Sequence, residues 1–167
     1  ELANLRTLSA RGNELDSLAP VAGLASLLSV DVEDNQVDSL EPLEGKALRR
    51  LDIDDNLVDS LAPLAGMESL EYLDARRNAL TSVAPLSGLP KLVDLDLAEN
   101  ALESSDGLDG LGALEAIDVS DNEMGELNGL ADGGSLRRVF ARNNGLSSLE
   151  PLSGHAQLGR LDVRGNA

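Results

Sequence analysis

The feature of this sequence that most constrains its fold is an asparagine that returns at an almost constant interval. Successive asparagines are 22 residues apart, except for one interval of 21 residues. Self-similarity at one fixed period indicates stacked structural repeats, each of which packs against its neighbours. The positions are Asn13, Asn35, Asn56, Asn78, Asn100, Asn122, Asn144 and Asn166.

Apolar residues hold fixed offsets from each asparagine. In one repeat Leu92, Leu95 and Leu97 precede Asn100, and Leu102 follows it, so the pattern is L-x-x-L-x-L-x-x-N-x-L. The L-x-L alternation predicts a short strand whose leucines point inward and whose intervening residues point outward. Strands from successive repeats would stack about 4.8 Å apart in a parallel sheet. We expect each asparagine to bond backbone groups where the chain leaves the strand, which is a structural role.

The second half of each repeat carries a proline in one column. Proline suits the first turn of a helix, so we expect a short helical or 3-10 turn on the side opposite the sheet. Gly107 and Gly129 replace this proline in the fifth and sixth repeats, where we expect a looser backbone. The prolines of the column are Pro20, Pro42, Pro63, Pro85 and Pro151.

These motifs resemble the 22-residue class of leucine-rich repeats that bacterial internalins share with eukaryotic phosphatase-regulating leucine-rich proteins. The resemblance extends from Leu5 to Asn166. It implies an α/β repeat fold: a right-handed solenoid with a concave parallel β-sheet and short helical or 3-10 turns on the convex side. It also implies protein–protein recognition through the concave sheet.

The organisation predicted from these repeats is a single leucine-rich-repeat domain over residues 1–167, with seven to eight repeats. Neither end shows the polar capping sequence that terminal repeats normally carry. We therefore expect an uncapped part of a larger protein, able to self-associate through its ends. Alanine-rich, acidic strand segments such as "LDLAEN" favour a bacterial origin. We expect an extracellular or cell-surface location in a bacterium.

The composition argues against several classes of function. A net charge of −17 disfavours nucleic acid as a partner, because phosphate backbones require lysine and arginine. Membrane insertion is not expected, since no apolar run approaches the length of about 18 residues that a membrane span requires. There is no phosphate-binding loop, no nucleophile motif and no cysteine. We therefore expect neither an enzyme nor a cofactor.

The outward residue at the centre of each predicted strand forms a column, which we call the Asp column. Adjacent carboxylates at strand spacing could share Ca²⁺. Aspartate is also common in the "LDL" strand consensus, so we assign no metal to the column. It comprises Ser9, Asp31, Asp52, Asp74, Asp96, Asp118, Phe140 and Asp162.

Phe140 interrupts the Asp column and is the centre of the predicted site. Arg138 and Arg142 flank it on its own strand, and Arg160 and Arg164 lie on the next. Aromatic residues and arginine are enriched at binding hot spots, and this set would suit an acidic partner. Alternatively, Phe140 packs against a domain beyond this chain.

A second, weaker candidate cluster is Tyr72 with Arg50 and Arg76. The charge along the chain supports a polar binding face, because residues 92–132 hold twelve acidic and no basic residues, whereas residues 133–167 hold five basic and two acidic ones. We predict a module that recognises a protein or peptide ligand on its concave sheet, in a larger bacterial surface or envelope protein. The alternatives are a structural spacer without a ligand and an intracellular regulatory domain attached to a catalytic domain.

Overall fold

The computed structural model describes residues 2–132 and 134–167, and its central feature is one parallel sheet of eight strands. The strands follow one another in chain order, and equivalent positions of each repeat lie opposite one another. They are β1 (Thr7–Ser9), β2 (Ser29–Asp31), β3 (Arg50–Asp52), β4 (Tyr72–Asp74), β5 (Asp94–Asp96), β6 (Ala116–Asp118), β7 (Arg138–Phe140) and β8 (Arg160–Asp162).

Short 3-10 helices lie on the other side of the core from the sheet. Five of the six described contain the column proline in their first turn, and the sixth contains Gly129 instead. Residues 97–115, all of which are described, form only turns and bends between β5 and β6. The 3-10 helices are Ala19–Val21, Glu41–Leu43, Ala62–Leu64, Ala84–Leu86, Asn128–Leu130 and Glu150–Leu152.

The core lies between the sheet and these turns and is almost entirely aliphatic. Leu51, Ile53, Leu95 and Leu97 are fully buried, as the strand alternation predicts. Each layer packs against the equivalent layer of the next repeat, so the core is a continuous column from Leu18 to Leu152. The outward face of the sheet, predicted to be concave, is consequently lined by the residues that alternate with these.

The recurrent asparagines hold one repeat to the previous one. Asn100 Nδ2 donates to the carbonyl oxygens of Leu97 and Ala98 in its own repeat, and to that of Ala75 in the repeat before, at 2.9 to 3.2 Å. Its Oδ1 accepts the backbone N–H of Leu80 at 3.0 Å. The predicted structural role of the asparagines is confirmed by this ladder.

The residue before each asparagine has a left-handed backbone in all eight repeats. Its φ angle lies between 48° at Arg77 and 74° at Gly165. This conformation turns the chain out of the strand, and it is costly for residues other than glycine. The column carries a partial signal for this conformation, because two of its residues are glycine and four are Asp or Asn, the other types that adopt it most readily: Gly12, Asp34, Asp55, Asp121, Asn143 and Gly165.

The expectation of a loose backbone at Gly107 and Gly129 is wrong. A Cβ atom at Gly107 would overlap the backbone of Ala84, and one at Gly129 would overlap the carbonyl of Ser105. Gly129 N also donates to Ser105 Oγ at 3.0 Å. These glycines allow neighbouring repeats to approach closely where the proline is missing, so they tighten the packing.

Within the part of the chain that the structure describes, no helix has the length and apolar character that a membrane crossing requires.

Truncating one core leucine should destabilise the whole stack. Leu95→Ala removes a fully buried side chain, and we expect it to lower the free energy of unfolding by about 2–5 kcal/mol. Val93→Ala is the matched control, because Val93 is 38% exposed, and it should cost less than about 0.5 kcal/mol. Urea denaturation measures both, and equal losses would contradict the packing described here.

The close approach at Gly129 makes a second prediction. Gly129→Ala should lower the free energy of unfolding by about 1–3 kcal/mol, because the methyl group must displace the Ser105 carbonyl. Gly154→Ala is the control, since a Cβ atom there meets nothing within 4 Å. If thermal unfolding shows no difference between the two variants, the repeats are not packed closely at Gly129.

Candidate functional site

The outward face of the sheet is crowded, so the Asp column is less exposed than the alternation predicts. Asp52 and Asp74 are each only 5% exposed, whereas Asp96 and Asp118 are half-buried. The strands have the predicted orientation, with Asp52 and Asp96 on the outward side of the sheet, but Asp52 is buried there by neighbouring side chains. Bulky side chains in the neighbouring rows of β3 and β4 explain this burial.

The second predicted cluster, Tyr72 with Arg50 and Arg76, supplies some of the side chains that bury these aspartates. The guanidinium of Arg50 lies 3.5 Å from the centre of the Tyr72 ring, and Tyr72 Oη donates to Asp74 Oδ2 at 3.4 Å. Arg50 Nη2 also lies 4.0 Å from Asp52 Oδ2. The structure therefore brings Tyr72 and Arg50 together as predicted. Both side chains lie against the carboxylates of Asp52 and Asp74.

Arg76, the third member of the cluster, is engaged within the molecule. Asp54 is completely buried, and its Oδ2 atom accepts Arg76 Nη2 at 2.8 Å and Arg77 Nη2 at 2.6 Å. Arg76 Nε lies 3.6 Å from Asp74 Oδ1. Two arginines thus neutralise one buried carboxylate between β3 and β4, a contact that leaves Arg76 less able to bind a ligand.

Burial and neighbouring negative charges raise the pKa values of several side chains on this face. Desolvation, followed by the charge of Asp74, raises the pKa of Asp52 to about 6. Desolvation, followed by Asp74 and Asp118, raises the pKa of Asp96 to about 6. Desolvation also raises the pKa of Tyr72 to about 12. The middle of the sheet therefore holds carboxylates that bind protons more tightly than usual.

At the first candidate cluster, Phe140 is half-buried beneath arginines of its own and the next strand. The guanidinium carbon of Arg160 lies 4.7 Å from the ring centre, and that of Arg142 lies 5.9 Å from it. Cations within about 6 Å of a ring face are attracted by its quadrupole. Three of the residues predicted from the sequence are thus assembled into one unit.

The other arginines of this cluster are paired with carboxylates. Arg138 Nη2 lies 3.5 Å from Asp94 Oδ2, two strands away. Arg164 donates two hydrogen bonds to Asp162, at 2.7 and 2.9 Å, and these bonds lower the pKa of Asp162 to about 2. Arg142 Nε lies 3.7 Å from the same carboxylate. Among residues 2–132 and 134–167, Arg160 is the one arginine of the four without a carboxylate within 4.0 Å.

A hollow of about 190 Å³ opens beside Phe140 on the same face. Its floor is Ala116 on β6, which stands in the row where the neighbouring strands carry Asp94 and Arg138. Because alanine is much smaller than either, the sheet surface dips at this point. The hollow is lined by Asp94, Leu95, Asp96, Ala116, Ile117, Asp118, Arg138, Phe140 and Arg160.

An acidic cluster also lies at the other end of the face. One oxygen from each of Asp31, Glu33 and Asp52 lies within 4.8 Å of the others. Arg11 forms ion pairs with Glu33 and, at 3.9 Å, with Asp31. A guanidinium of the same molecule thus already pairs with two of the three carboxylates of this cluster.

Comparison with known proteins relates the whole architecture to solved structures. A family model described as "Leucine rich repeat" matches residues 46–102. The crystal structure of internalin C2 from Listeria monocytogenes superposes with a TM-score of 0.92 at 28% identity, over 96% of this chain and 71% of that one. The chain has the leucine-rich-repeat fold, and its repeats are similar to those of internalins.

Two more distant structures share the fold of this leucine-rich-repeat protein. A leucine-rich-repeat protein of Leptospira interrogans has a TM-score of 0.88 at 24% identity, over 99% of this chain and 44% of that one. The functional domain of InlJ from Listeria monocytogenes, which includes a cysteine ladder, has a TM-score of 0.75 at 21% identity, over 98% and 40%. The present repeats contain no cysteine and build their ladder from asparagine. No curated protein sequence matches the chain.

Sequence reasoning missed the hollow and the ion pairs of this leucine-rich-repeat protein. The signal for the hollow was available, because Ala116 is a small residue in a row otherwise occupied mostly by larger or charged ones. The pairing of Arg138 with Asp94 had no such signal. It joins residues 44 positions apart through side-chain conformations that the repeat pattern does not specify.

The raised pKa of Asp96 predicts how stability depends on pH. Since the folded protein holds this proton up to about pH 6, against an ordinary value of 3.8, ionised Asp96 destabilises the fold at neutral pH. Asp96→Asn should therefore raise the free energy of unfolding at about pH 7, and the gain should shrink as the pH falls from about 6 to 3.8.

Asp162→Asn is the control for this pH series. Its carboxylate has a lowered pKa because Arg164 bonds the ionised form, so the substitution should reduce stability at neutral pH. Denaturant titrations across this pH range measure both variants. A loss of stability in Asp96→Asn at about pH 7 would contradict the destabilising role of its charge.

Proposed function

We propose that this leucine-rich-repeat domain is a non-enzymatic binding module that recognises a protein or peptide on its concave face, between β5 and β8. Leucine-rich repeats are commonly used for protein binding, and repeat solenoids present extended concave surfaces for that purpose. The observation that carries the proposal is Phe140, a half-buried aromatic ring in a column of carboxylates, with the guanidinium of Arg160 over the ring and the hollow beside it.

The contacts divide the eight predicted site residues into three groups. Phe140 and Arg160 are the proposed centre, because neither is tied to a carboxylate within the described residues. Arg138, Arg142 and Arg164 hold the surrounding acids in place and form the rim. Tyr72, Arg50 and Arg76 form a second rim further along the face, where they cover Asp52 and Asp74.

The chemistry of the partner follows from this division. Arg160 would bind a carboxylate of the ligand, because guanidinium groups pair with carboxylates through charge-assisted hydrogen bonds. An acidic group on the partner is therefore proposed at β8, while the acidic stretch of residues 92–132 would repel such a group from the middle of the sheet. The opposite charges of the middle of the sheet and of its β8 end would orient the ligand along the face.

The proposal also includes a setting outside the cell, as part of a bacterial surface or envelope protein. The likeness to internalin C2 of Listeria monocytogenes supports a bacterial, internalin-like context. Self-association through the edge strands β1 and β8 stays a further prediction.

The test uses peptides selected on the intact protein from a random peptide library. Phe140→Ala should weaken their binding by about 2 kcal/mol or more, as expected for an aromatic hot spot. Ser9→Ala is the matched control, because Ser9 occupies the same column at the other end of the sheet. Calorimetric titration of the native protein and both variants gives the affinities.

Two results would contradict this assignment. Equal affinity of the native protein and Phe140→Ala for every selected peptide would remove Phe140 from the site. A loss of binding in Ser9→Ala as large as that in Phe140→Ala would show that the peptides do not depend on the β5–β8 end.

A further inference from the structure

Two arginines stand side by side at the β8 end of the outward face. Arg138 on β7 and Arg160 on β8 are register partners in the parallel sheet, and both are exposed. Neighbouring strands lie about 4.8 Å apart, and like charges directly opposite each other on a sheet are destabilising. The two guanidinium groups are therefore placed where an anion near both of them would be favourable.

Arg138 contacts a carboxylate of the same chain, but loosely. Its Nη2 atom lies 3.5 Å from Asp94 Oδ2, and Asp94 is two strands away, on the other side of Ala116. Charge-assisted hydrogen bonds between arginine and carboxylate are about 2.7–2.9 Å long. The two side chains are 54% and 45% exposed, and ion pairs open to solvent contribute little to stability. Arg138 can therefore leave Asp94 at low cost.

Arg160 has no carboxylate within 4.0 Å among residues 2–132 and 134–167. Its guanidinium carbon lies 4.7 Å from the centre of the Phe140 ring instead. A guanidinium carries five N–H donors, and attraction to an aromatic ring does not use them as a hydrogen bond to an acceptor would. The Phe140 ring thus holds Arg160 beside Arg138 and leaves its donors for a ligand.

The other two arginines of the Phe140 cluster are bound more firmly. Arg164 donates to Asp162 at 2.7 and 2.9 Å, and Arg142 Nε lies 3.7 Å from the same carboxylate. Within this cluster, Arg138 and Arg160 are consequently the two guanidinium groups that a partner engages with the least disruption.

We propose that Arg138 and Arg160 together bind one carboxylate group of the protein partner, and that Asp94 competes with this group for Arg138. The inference rests on the proposed function and adds to it a second arginine and an internal competitor. A carboxylate has two oxygens and accepts two N–H bonds from guanidinium groups, so one carboxylate can bridge the two strands. Aspartate and glutamate side chains and the C-terminus of a peptide supply the same group.

Asp118 provides an internal comparison for the role of Asp94. It lies opposite Phe140 on β6, one strand nearer to Arg160 than Asp94 does. Among the residues that the structure describes, no arginine lies within 4.0 Å of Asp118. Repulsion through space therefore gives Asp118 the larger effect on an anion at the two arginines, whereas direct competition gives Asp94 the larger effect.

The experiment is an NMR titration of the isotopically labelled protein with glutamate blocked at its α-amino and α-carboxyl groups. We expect saturable shifts of the backbone amides of β7 and β8 and of the Nε–H groups of Arg138 and Arg160. Glutamine blocked in the same way lacks the charge and should give none. Alanine blocked only at its α-amino group has a free α-carboxylate, so its affinity relative to blocked glutamate distinguishes a chain terminus from an acidic side chain.

Removing the competitor should strengthen binding. Asp94→Asn should raise the affinity for blocked glutamate about two- to fivefold, the range that corresponds to an exposed ion pair. Asp118→Asn is the matched control, because it removes an equal charge one strand nearer to Arg160 and should change the affinity less than Asp94→Asn does.

Removing either arginine should weaken binding. Arg138→Gln and Arg160→Gln should each lower the affinity about tenfold or more, the loss expected for a hydrogen bond to a charged group. In the Arg138→Gln protein, Asp94→Asn should give no larger gain than Asp118→Asn, because the competition requires Arg138. This comparison is a double-mutant cycle, which isolates the coupling between the two residues.

Four results would overturn the proposal. They are absence of saturable shifts with both free carboxylates, equal shifts with blocked glutamine, a gain in Asp118→Asn as large as that in Asp94→Asn, and an undiminished gain from Asp94→Asn in the Arg138→Gln protein. None of them depends on the selected peptides. Failure of the carboxylate site alone therefore leaves the effect of Phe140→Ala on peptide binding intact, and failure of the proposed function appears only in that second assay.

Discussion

The asparagine ladder is the interaction on which the rest of the structure depends. Each asparagine amide after Asn13 bonds its own turn and the backbone of the preceding repeat, so it fixes both the exit from the strand and the distance to the neighbour. The residue before the asparagine adopts a left-handed backbone conformation, which is unfavourable for most residues and turns the chain out of the strand. Because the same bonds recur along the chain, all eight strands stay in register, and equivalent side chains are held opposite one another.

That register has an electrostatic consequence for the outward face. Aspartates at equivalent positions are forced to lie opposite each other, where like charges destabilise a sheet. At most of these positions an arginine of the same or a neighbouring strand balances the charge. Between β5 and β6 the described residues provide none, and a small alanine leaves space beside the two carboxylates. The carboxylates of the outward face are therefore paired with arginines at some positions and unpaired at others among the described residues.

Much of this fold could be predicted from the sequence, because the repeat encodes it several times over. Eight copies of one pattern locate the strands, as at Arg50–Asp52, where the L-x-L alternation runs from Leu51 to Ile53. The ion pairs on the outer face involve residues that differ from one repeat to the next, so the repeat pattern does not predict them. Nothing in the period indicates that Arg138 reaches Asp94, or that Arg76 turns to Asp54. The tight glycines were misjudged for the same reason, because Gly129 reflects contact with Ser105 in the previous repeat rather than its own flexibility.

The central claim is that the outward face between β5 and β8 is the binding surface. The most direct test is an NMR cross-saturation map of the native protein bound to one library-selected peptide. Saturation should be transferred to amides of β5, β6, β7 and β8 on the sheet, and the 3-10 helices should be unaffected. Transfer confined to the 3-10 side, for instance around Glu150–Leu152, would contradict the claim and place recognition on the convex surface.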